Sequence, residues 1–384
     1  MTAIVTDAHY RMSVSLIRDL FDRGVRVAAC EKASIEAPVG FASRGAAQCV
    51  RLPDEEYEAA LLALCREVLE IEGEKPVLLP VGAKTLAMVS RSRDAFSAVA
   101  GLCAATSSQL ALFNDKAAVS ALAKTLGVPV PESFERQPEE ADEPFFSRVP
   151  LPCAVKPHCG ESFGLTASQR YRICRTKDEL RAAFHHFKAL TNEDPIVQEY
   201  LPGAAYGCSV LAKDGAVYRS LCHRRVREYP VSGGPSSCCE SVSRSDLLAF
   251  SEALVQETGF TGPAMFEFKC AADGSPRLLE VNPRVWGTFP LTRAAKTDFA
   301  YSWFCLAANL PLPEEVPAQH VKMAYYPADF AAGLGYLKAG QPGRFFAAAA
   351  DFLSPCVKNG LADPQDPAPA QVYFRNLFHR GGHK

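Results

Sequence analysis

A chain of 384 residues with 48% hydrophobic and 22% charged side chains is too long for one ordinary core and too apolar to stay disordered, so two or three folded domains are expected. The formal net charge of -2 leaves no basic excess for nucleic acid, and no apolar run reaches the roughly 18 residues that read as a membrane span. The 14 cysteines include no Cys-x-x-Cys pair and no zinc-spaced Cys/His cluster, while Cys238 and Cys239 are adjacent and poorly placed to bond each other. Free thiols in a reducing cytoplasm are therefore predicted. Met1 to Val5 runs into a strand without the basic segment and apolar stretch of an export signal, so neither export nor membrane insertion is expected.

Ala3-Ile4-Val5 reads as a short strand. After Thr6-Asp7-Ala8-His9-Tyr10, the spacing of Val14, Leu16, Ile17, Leu20 and Phe21 predicts a helix that Gly24 ends, and Val25 to Cys30 reads as a second strand. This β-α-β opening lacks a Gly-x-Gly-x-x-Gly turn, which argues against dinucleotide binding. An amphipathic helix over Asp54–Glu70 and a buried strand over Pro76–Val81 complete a small parallel-sheet domain. His9, Arg11 and Lys84 fall on its loops, where solvation accounts for each as well as substrate contact does.

Asn114-Asp115-Lys116 precedes a helical run from Ala117 to Leu126, closed by Gly127 and Val128-Pro129-Val130-Pro131. The acidic, Pro-containing stretch from Gln137 to Val149 reads as a surface loop. Ala154-Val155-Lys156-Pro157 is an apolar strand with one lysine, and His158 to Leu165 follows with Gly160 and Gly164. A lysine in a buried strand is costly unless an anion meets it, and glycines let backbone N–H groups approach phosphates. Pro195 to Gly203 is an extended stretch ending in a Pro-Gly turn, and Lys213-Asp214-Gly215 marks a hairpin between Ser209–Ala212 and Ala216–Tyr218. His223, Arg224, Arg225 and Arg227 crowd the next strand, which predicts either bound anions or a solvated charged edge. Ser245 to Thr258 reads as an amphipathic helix that closes at Gly259.

The densest chemistry comes next. Pro263 to Lys269 and Arg277 to Val281 flank Asp273-Gly274 and read as a hairpin in which Glu267 can fall beside Glu280. Two adjacent carboxylates need a cation between them to stay ionised. Glu280 can bridge two hard cations, Asn282 adds an amide oxygen on the same face, and Arg284 adds a guanidinium fork for a phosphoryl group, so magnesium is the predicted ion.

Leu279-Glu280-Val281-Asn282-Pro283-Arg284, followed by Trp286-Gly287, resembles the metal-binding signature of the ATP-grasp superfamily, and most of all its branch related to the carbamoyl-phosphate synthase large chain and single-chain carboxylate-amine ligases. Asp115-Lys116, Lys156 with the loop after it, and Gln198-Glu199-Tyr200-Leu201 resemble the family's other motifs in the family's order. The resemblance implies an α/β chain: an N-terminal parallel-sheet, Rossmann-like domain over 1–113, then a two-lobed α+β ATP-grasp module with a small lobe over 114–197 and a catalytic lobe over 198–330, and a C-terminal extension over 331–384. It implies ATP with Mg²⁺ or Mn²⁺ on Glu267, Glu280 and Asn282. Lys116 and Lys156 would hold the phosphates, Gln198, Glu199, Tyr200 and Leu201 would surround the adenine, and Arg284 with Lys156 would act in phosphoryl transfer. The implied reaction activates a small-molecule carboxylate as an acyl phosphate and joins it to an amine, releasing ADP and phosphate. A kinase-like enzyme releasing an acyl or carbamoyl phosphate and a non-catalytic ATP-binding module are the alternatives, and oligomerisation is left open.

Two departures stand out against the family pattern. Ala204-Ala205-Tyr206 occupies the place where many relatives carry a ribose-holding carboxylate, and the phosphate loop has only Gly160 and Gly164. Further on, Phe299 to Leu310 reads as an apolar helix, and Asp363 to Pro369 with Arg380 to Lys384 as a surface extension with a loose end.

Overall fold

The computed structural model describes residues 1–158, 165, 169, 171–231, 233–271 and 273–381. Strands β1 (Thr2–Val5), β2 (Arg26–Lys32), β3 (Ala46–Leu52) and β4 (Val77–Leu79) form an all-parallel sheet in the order β3-β2-β1-β4. Strand alternation sorts its apolar residues onto two faces. Ile4, Ala28 and Leu78 pack with Leu61, Cys65 and Phe96 on one side, whereas Ala3, Val5, Val27 and Leu79 pack with Leu16, Ile17 and Trp303 on the other. The α/β class and the parallel N-terminal sheet are those the sequence pattern predicts.

A second sheet, in the order β5-β8-β6-β7, consists of β5 (Ser133–Phe134), β6 (Cys153–Lys156), β7 (Arg172–Cys174) and β8 (Ile196–Glu199). Helices Asp142–Arg148 and Lys177–Thr191 back it through Phe145, Phe146, Phe184 and Phe187. The first of these helices lies where the sequence reads as a loop. Asp142 and Glu143 occupy its first turn, where negative charge suits the positive end of the helix dipole, and the two phenylalanines give it a buried face.

The third sheet runs β13-β12-β9-β10-β11-β14-β15, built from β9 (Ala204–Lys213), β10 (Ala216–Glu228), β11 (Ser236–Val242), β12 (Gly262–Cys270), β13 (Pro276–Asn282), β14 (Lys322–Ala324) and β15 (Val357–Asn359). Its neighbours pair antiparallel except β14 with β15. Helix Phe299–Ala308, apolar nearly all round, is buried between this sheet and the parallel one, and Trp303 Nε1 donates to the Cys103 carbonyl at 2.6 Å. A helix without a polar face has to be covered on every side, and these two sheets supply the cover.

Two readings of the sequence are corrected here. Strand β10 is interior rather than an edge, and its arginines meet the protein's own carboxylates: Arg224 meets Glu240 at 2.6 Å, Arg225 meets Glu267, and Arg227 meets Asp329 at 2.8 Å and Asp351 at 2.7 Å. The stretch from Asp363 to Gly381 is no surface extension, and the predicted loose end beyond it lies outside the described residues. Asp366 is buried and accepts from Arg18 Nε at 2.9 Å, Ser43 Oγ at 2.7 Å and the Arg44 N–H at 3.0 Å, and helix Ala368–Gly381 follows. No disulfide joins the described cysteines.

Candidate active site

The β12–β13 hairpin sets the register of the site. Glu267 lies opposite Glu280 and Met265 opposite Asn282, so both carboxylates leave the same face of adjacent strands. The turn is fixed by Asp273, whose Oδ1 accepts from the Ser275 N–H at 2.9 Å and hydroxyl at 2.7 Å, and by Gly274 at φ 84°. After Asn282 the chain doubles back at Pro283, with the Arg284 N–H donating to the Asn282 carbonyl at 2.8 Å.

Cations close on this pair from three elements. Lys116 opens helix Lys116–Thr125, which Asp115 caps by accepting from the Ala117 and Ala118 N–H groups, and its Nζ sits 2.7 Å from Glu280 Oε2. Arg225 reaches across from β10 to Glu267 Oε2, while the Asn282 amide donates to Glu267 Oε1 at 3.0 Å. Arg284 donates to Asn282 Oδ1 at 3.3 Å and to the Val285 carbonyl at 3.1 Å. Lys156 ends β6 beside the same group.

The electrostatics follow from that crowding. Desolvation pushes the Glu280 carboxyl up, yet the Lys116 contact, with Lys156 and Arg225 nearby, brings it down to about 2. Desolvation first, and then the Lys116 charge, pull Lys156 down to about 7, partly offset by Glu280. Glu267 goes the other way: burial and the Glu280 charge raise it against the pull of Arg225. His223, on β10 with Arg225, lies against Gly207 of β9, where an added Cβ would meet the imidazole at 2.3 Å. Burial and then Arg225 lower its pKa to about 3, so it stays neutral, with Nε2 3.3 Å from the Thr288 hydroxyl.

The structure thus brings together Lys116, Lys156, Glu267, Glu280, Asn282 and Arg284, and adds Arg225. Reading the sequence grouped Arg225 with its neighbours and did not single it out. Val226 is an extra residue in the β10–β11 ladder, so Arg225 opposes Cys239 while Arg227 opposes Cys238, and the two side chains leave opposite faces. Strand alternation alone would have put them together.

Gln198 to Leu201 lie at the far end of β8. Gln198 is buried and donates to Ser133 Oγ at 3.2 Å, and the Glu199 N–H donates to the Glu132 carbonyl at 2.8 Å. The Lys269 ammonium lies 5.4 Å from the Tyr200 ring centroid, and Leu201 is buried. Opposite Glu199 on β6 stands Cys153, three residues before Lys156, a separation of about 10 Å along the strand. The predicted phosphate loop over 159–164 lies outside the described residues. His9, Arg11 and Lys84 are elsewhere: His9 Nδ1 lies 2.6 Å from Glu31, Arg11 stacks 4.7 Å from the Tyr325 ring centroid, and Lys84 is exposed.

Among the described residues no group of three or more His, Cys, Asp or Glu side chains is placed to hold a metal ion. The donor set available is two facing carboxylates and one amide, all hard oxygen ligands of the kind magnesium prefers, and in this conformation Lys116 and Arg225 meet their charge. The residues fit a magnesium ion bound together with a phosphate-bearing ligand, because such a cation shares its coordination with phosphates instead of requiring a full protein cage. No helix among the described residues is long and apolar enough to cross a membrane.

Comparison with known proteins bears on this constellation. The family described as ATP-grasp in the biosynthetic pathway with Ter operon matches residues 191–326, which hold β8 through β13 and with them Glu267, Glu280, Asn282 and Arg284. Among solved structures, the biotin carboxylase domain of the Hydrogenobacter thermophilus 2-oxoglutarate carboxylase, in complex with MgADP, ADP and bicarbonate, is similar at TM-score 0.64 and 17% identity, over 84% of this chain and 73% of that one. An L-amino acid ligase from Bacillus licheniformis is similar at TM-score 0.58 and 15% identity, over 84% of this chain and 78% of that one. The ADP complex of PurK, an N5-carboxyaminoimidazole ribonucleotide synthetase, is similar at TM-score 0.61 and 15% identity, over 88% of this chain and 84% of that one. No curated protein matches the chain. The chain thus shares its fold with these structures along most of its length and carries an ATP-grasp family match over residues 191–326, the stretch that holds the carboxylate hairpin.

Proposed function

We propose that the protein is an ATP-dependent ligase that activates a small carboxylate as an acyl phosphate and joins it to an amine. The observation that carries this reading is the convergence of Lys116, Lys156, Arg225 and Arg284 on Glu267, Glu280 and Asn282. Interleaved cations and carboxylates at a strand end suit a polyphosphate that arrives with a divalent cation. The nucleotides and bicarbonate bound in the similar biotin carboxylase, and the chemistry named for the amino acid ligase, support the same class.

Glu267, Glu280 and Asn282 would hold Mg²⁺, which neutralises phosphate charge when bound. The chain's own residues do the positioning. Gln198 to Leu201 take the base, and Lys116 and Lys156 hold phosphate oxygens about 10 Å away along β6. An arriving phosphate supplies the anion that Lys156 needs to keep its proton. Arg284 presents a fork to the γ-phosphoryl group as a carboxylate oxygen of the acid attacks phosphorus and ADP departs. The amine nitrogen then attacks the acyl carbon, phosphate leaves with the C–O electron pair, and the surplus amine proton passes to solvent. No covalent protein nucleophile is required, since catalysis here is orientation and charge stabilisation.

The test is a screen of amino acids and small carboxylates in pairs, with ATP and Mg²⁺, read by phosphate release and by ADP. Turnover that needs both an acid and an amine is the expected result. ADP release with an acid alone would point to an acyl-phosphate-releasing enzyme, and ATP binding without hydrolysis under every pairing would point to a regulatory module.

A further inference from the structure

Beside the carboxylate hairpin, helices Ala83–Arg91 and Ser107–Asn114 border a cleft of about 240 Å³, with Pro283 and Arg284 on its rim. We infer that this cleft is the subsite for the acid and that it takes a small carboxylic acid with an apolar chain. The inference rests on the ligase reading above and narrows its substrate.

Size is the first argument. A cleft of about 240 Å³ lies just below the roughly 300 Å³ at which small-molecule pockets begin, which suits a molecule of about amino-acid dimensions. Chemistry is the second. Leu86 and Leu110 are buried and form an apolar floor, while Ala87 and Ala111 are exposed walls whose short side chains leave the space open. The polar members are three: the exposed Ser107, which opens helix Ser107–Asn114, and Asn114 and Arg284. Arg284 donates to Asn282 Oδ1 at 3.3 Å, and Asn114 stands two residues before Lys116, whose ammonium holds Glu280 at 2.7 Å. The polar rim is therefore tied to the proposed phosphoryl-transfer residues.

An acid placed there sets its carboxylate against the Arg284 fork, next to where the γ-phosphoryl group is proposed to lie, and its chain against the two leucines. A second carboxylate or a run of hydroxyls on that chain would face Leu86 and Leu110 without a partner, and an unpaired polar group in apolar surroundings costs more than the burial returns. The cleft therefore selects against dicarboxylates of the same length.

The full-length protein is assayed with ATP, Mg²⁺ and an amine, using three acids of matched length: an apolar α-amino acid, the aliphatic acid without its amino group, and a dicarboxylate. Ala111→Phe and Ala87→Phe fill the cleft from exposed helix positions, and melting curves confirm that both fold. An apolar acid preferred over the dicarboxylate by about tenfold or more in kcat/KM is the expected outcome, with Ala111→Phe raising the KM for that acid by about tenfold and leaving nucleotide affinity within about twofold. The first two acids distinguish an amino acid from a simple carboxylate as the natural source. Turnover that favours the dicarboxylate, or that is indifferent to both phenylalanines, overturns the cleft and leaves the ligase reading standing. If no acid supports turnover, calorimetric titration of the same acids in the presence of MgADP decides: binding lost in Ala111→Phe keeps the subsite although the ligase reading fails, and absence of binding ends both.

Discussion

Replacing Glu280 by Gln keeps the shape of the side chain and removes the charge that Lys116 meets at 2.7 Å. The change leaves a neutral amide among Lys116, Lys156 and Arg225, and on the proposed reading the phosphates and their cation would lose a central anchor. We expect a loss of at least about a hundredfold in turnover, the scale of a principal transition-state contact, with the folded state retained. Near-normal turnover would remove Glu280 from the site. Arg284 allows a finer division between binding and chemistry. Arg284→Lys keeps one positive charge and loses the planar fork, so kcat should fall while nucleotide affinity hardly moves. If the arginine only braces the turn after Pro283 through its bond to the Val285 carbonyl, the lysine variant will instead melt earlier and keep its rate per folded molecule.

At the level of elements, β10 serves two purposes along one strand, sending Arg225 to the carboxylate hairpin and, past the bulge at Val226, Arg227 to the helical pair Ala328–Lys338 and Pro342–Leu353. Arg227 and Asp329 are both buried, and their two bonds at 2.8 Å form a bidentate pair. Breaking it with Asp329→Asn leaves an arginine buried with one remaining carboxylate, Asp351, and should cost about 3 kcal/mol or more of stability in denaturant titrations. Asp351 gives the same latch a pH dependence. Burial pushes its carboxyl up, but Lys322 and Arg227 outweigh burial and hold it below the ordinary aspartate value of 3.8. A depressed carboxylate stabilises the fold above its unfolded pKa and loses that contribution as pH falls through the folded one. Stability measured below about pH 4 should therefore fall less steeply in Asp351→Asn than in the unchanged protein, and parallel curves would show that Asp351 takes no part. These elements also show what the sequence made legible. The β12–β13 hairpin, Lys116 and Lys156 could be read because strand alternation, an Asp-Gly turn and a helix start each lie within a few residues. Glu267, which Arg225 meets across the sheet, and Asp329, which Arg227 pairs with, lie 42 and 102 residues away, and one bulge decides which arginine goes where. Nothing local encodes that, and the family motifs stop short of it.

Across the whole molecule, the two ends of the chain are joined. Arg18, on helix Arg11–Asp22, donates to the Asp366 carboxylate and carbonyl and to the Leu361 carbonyl, all within 2.9 Å, and Val14 and Val39 pack with Leu361 and Ala370. Asn376 adds a bond to the Ala37 carbonyl at 2.8 Å. The C-terminal helix therefore packs on the short helical turn Val39–Ala42 and, through Val14, on the helix that backs the parallel sheet, and helix Phe299–Ala308 carries the packing on to β9 and β10. Asp366→Asn strips the anion from a buried guanidinium, which should lower stability by about 3 kcal/mol. Arg18→Met removes the orphaned cation as well, so the double variant should be more stable than Asp366→Asn alone, because an apolar chain in that place strands no charge. Nucleotide affinity at a temperature where all three variants are folded should stay unchanged, since the Glu280 cluster shares no partner with this pair. A double-mutant cycle by denaturant titration, paired with nucleotide titration, tests both halves at once. Additive losses would mean that Arg18 and Asp366 act independently. A drop in nucleotide affinity would mean instead that the clasp between the chain ends helps to set the position of the β12–β13 hairpin, through the buried helix that lies between them.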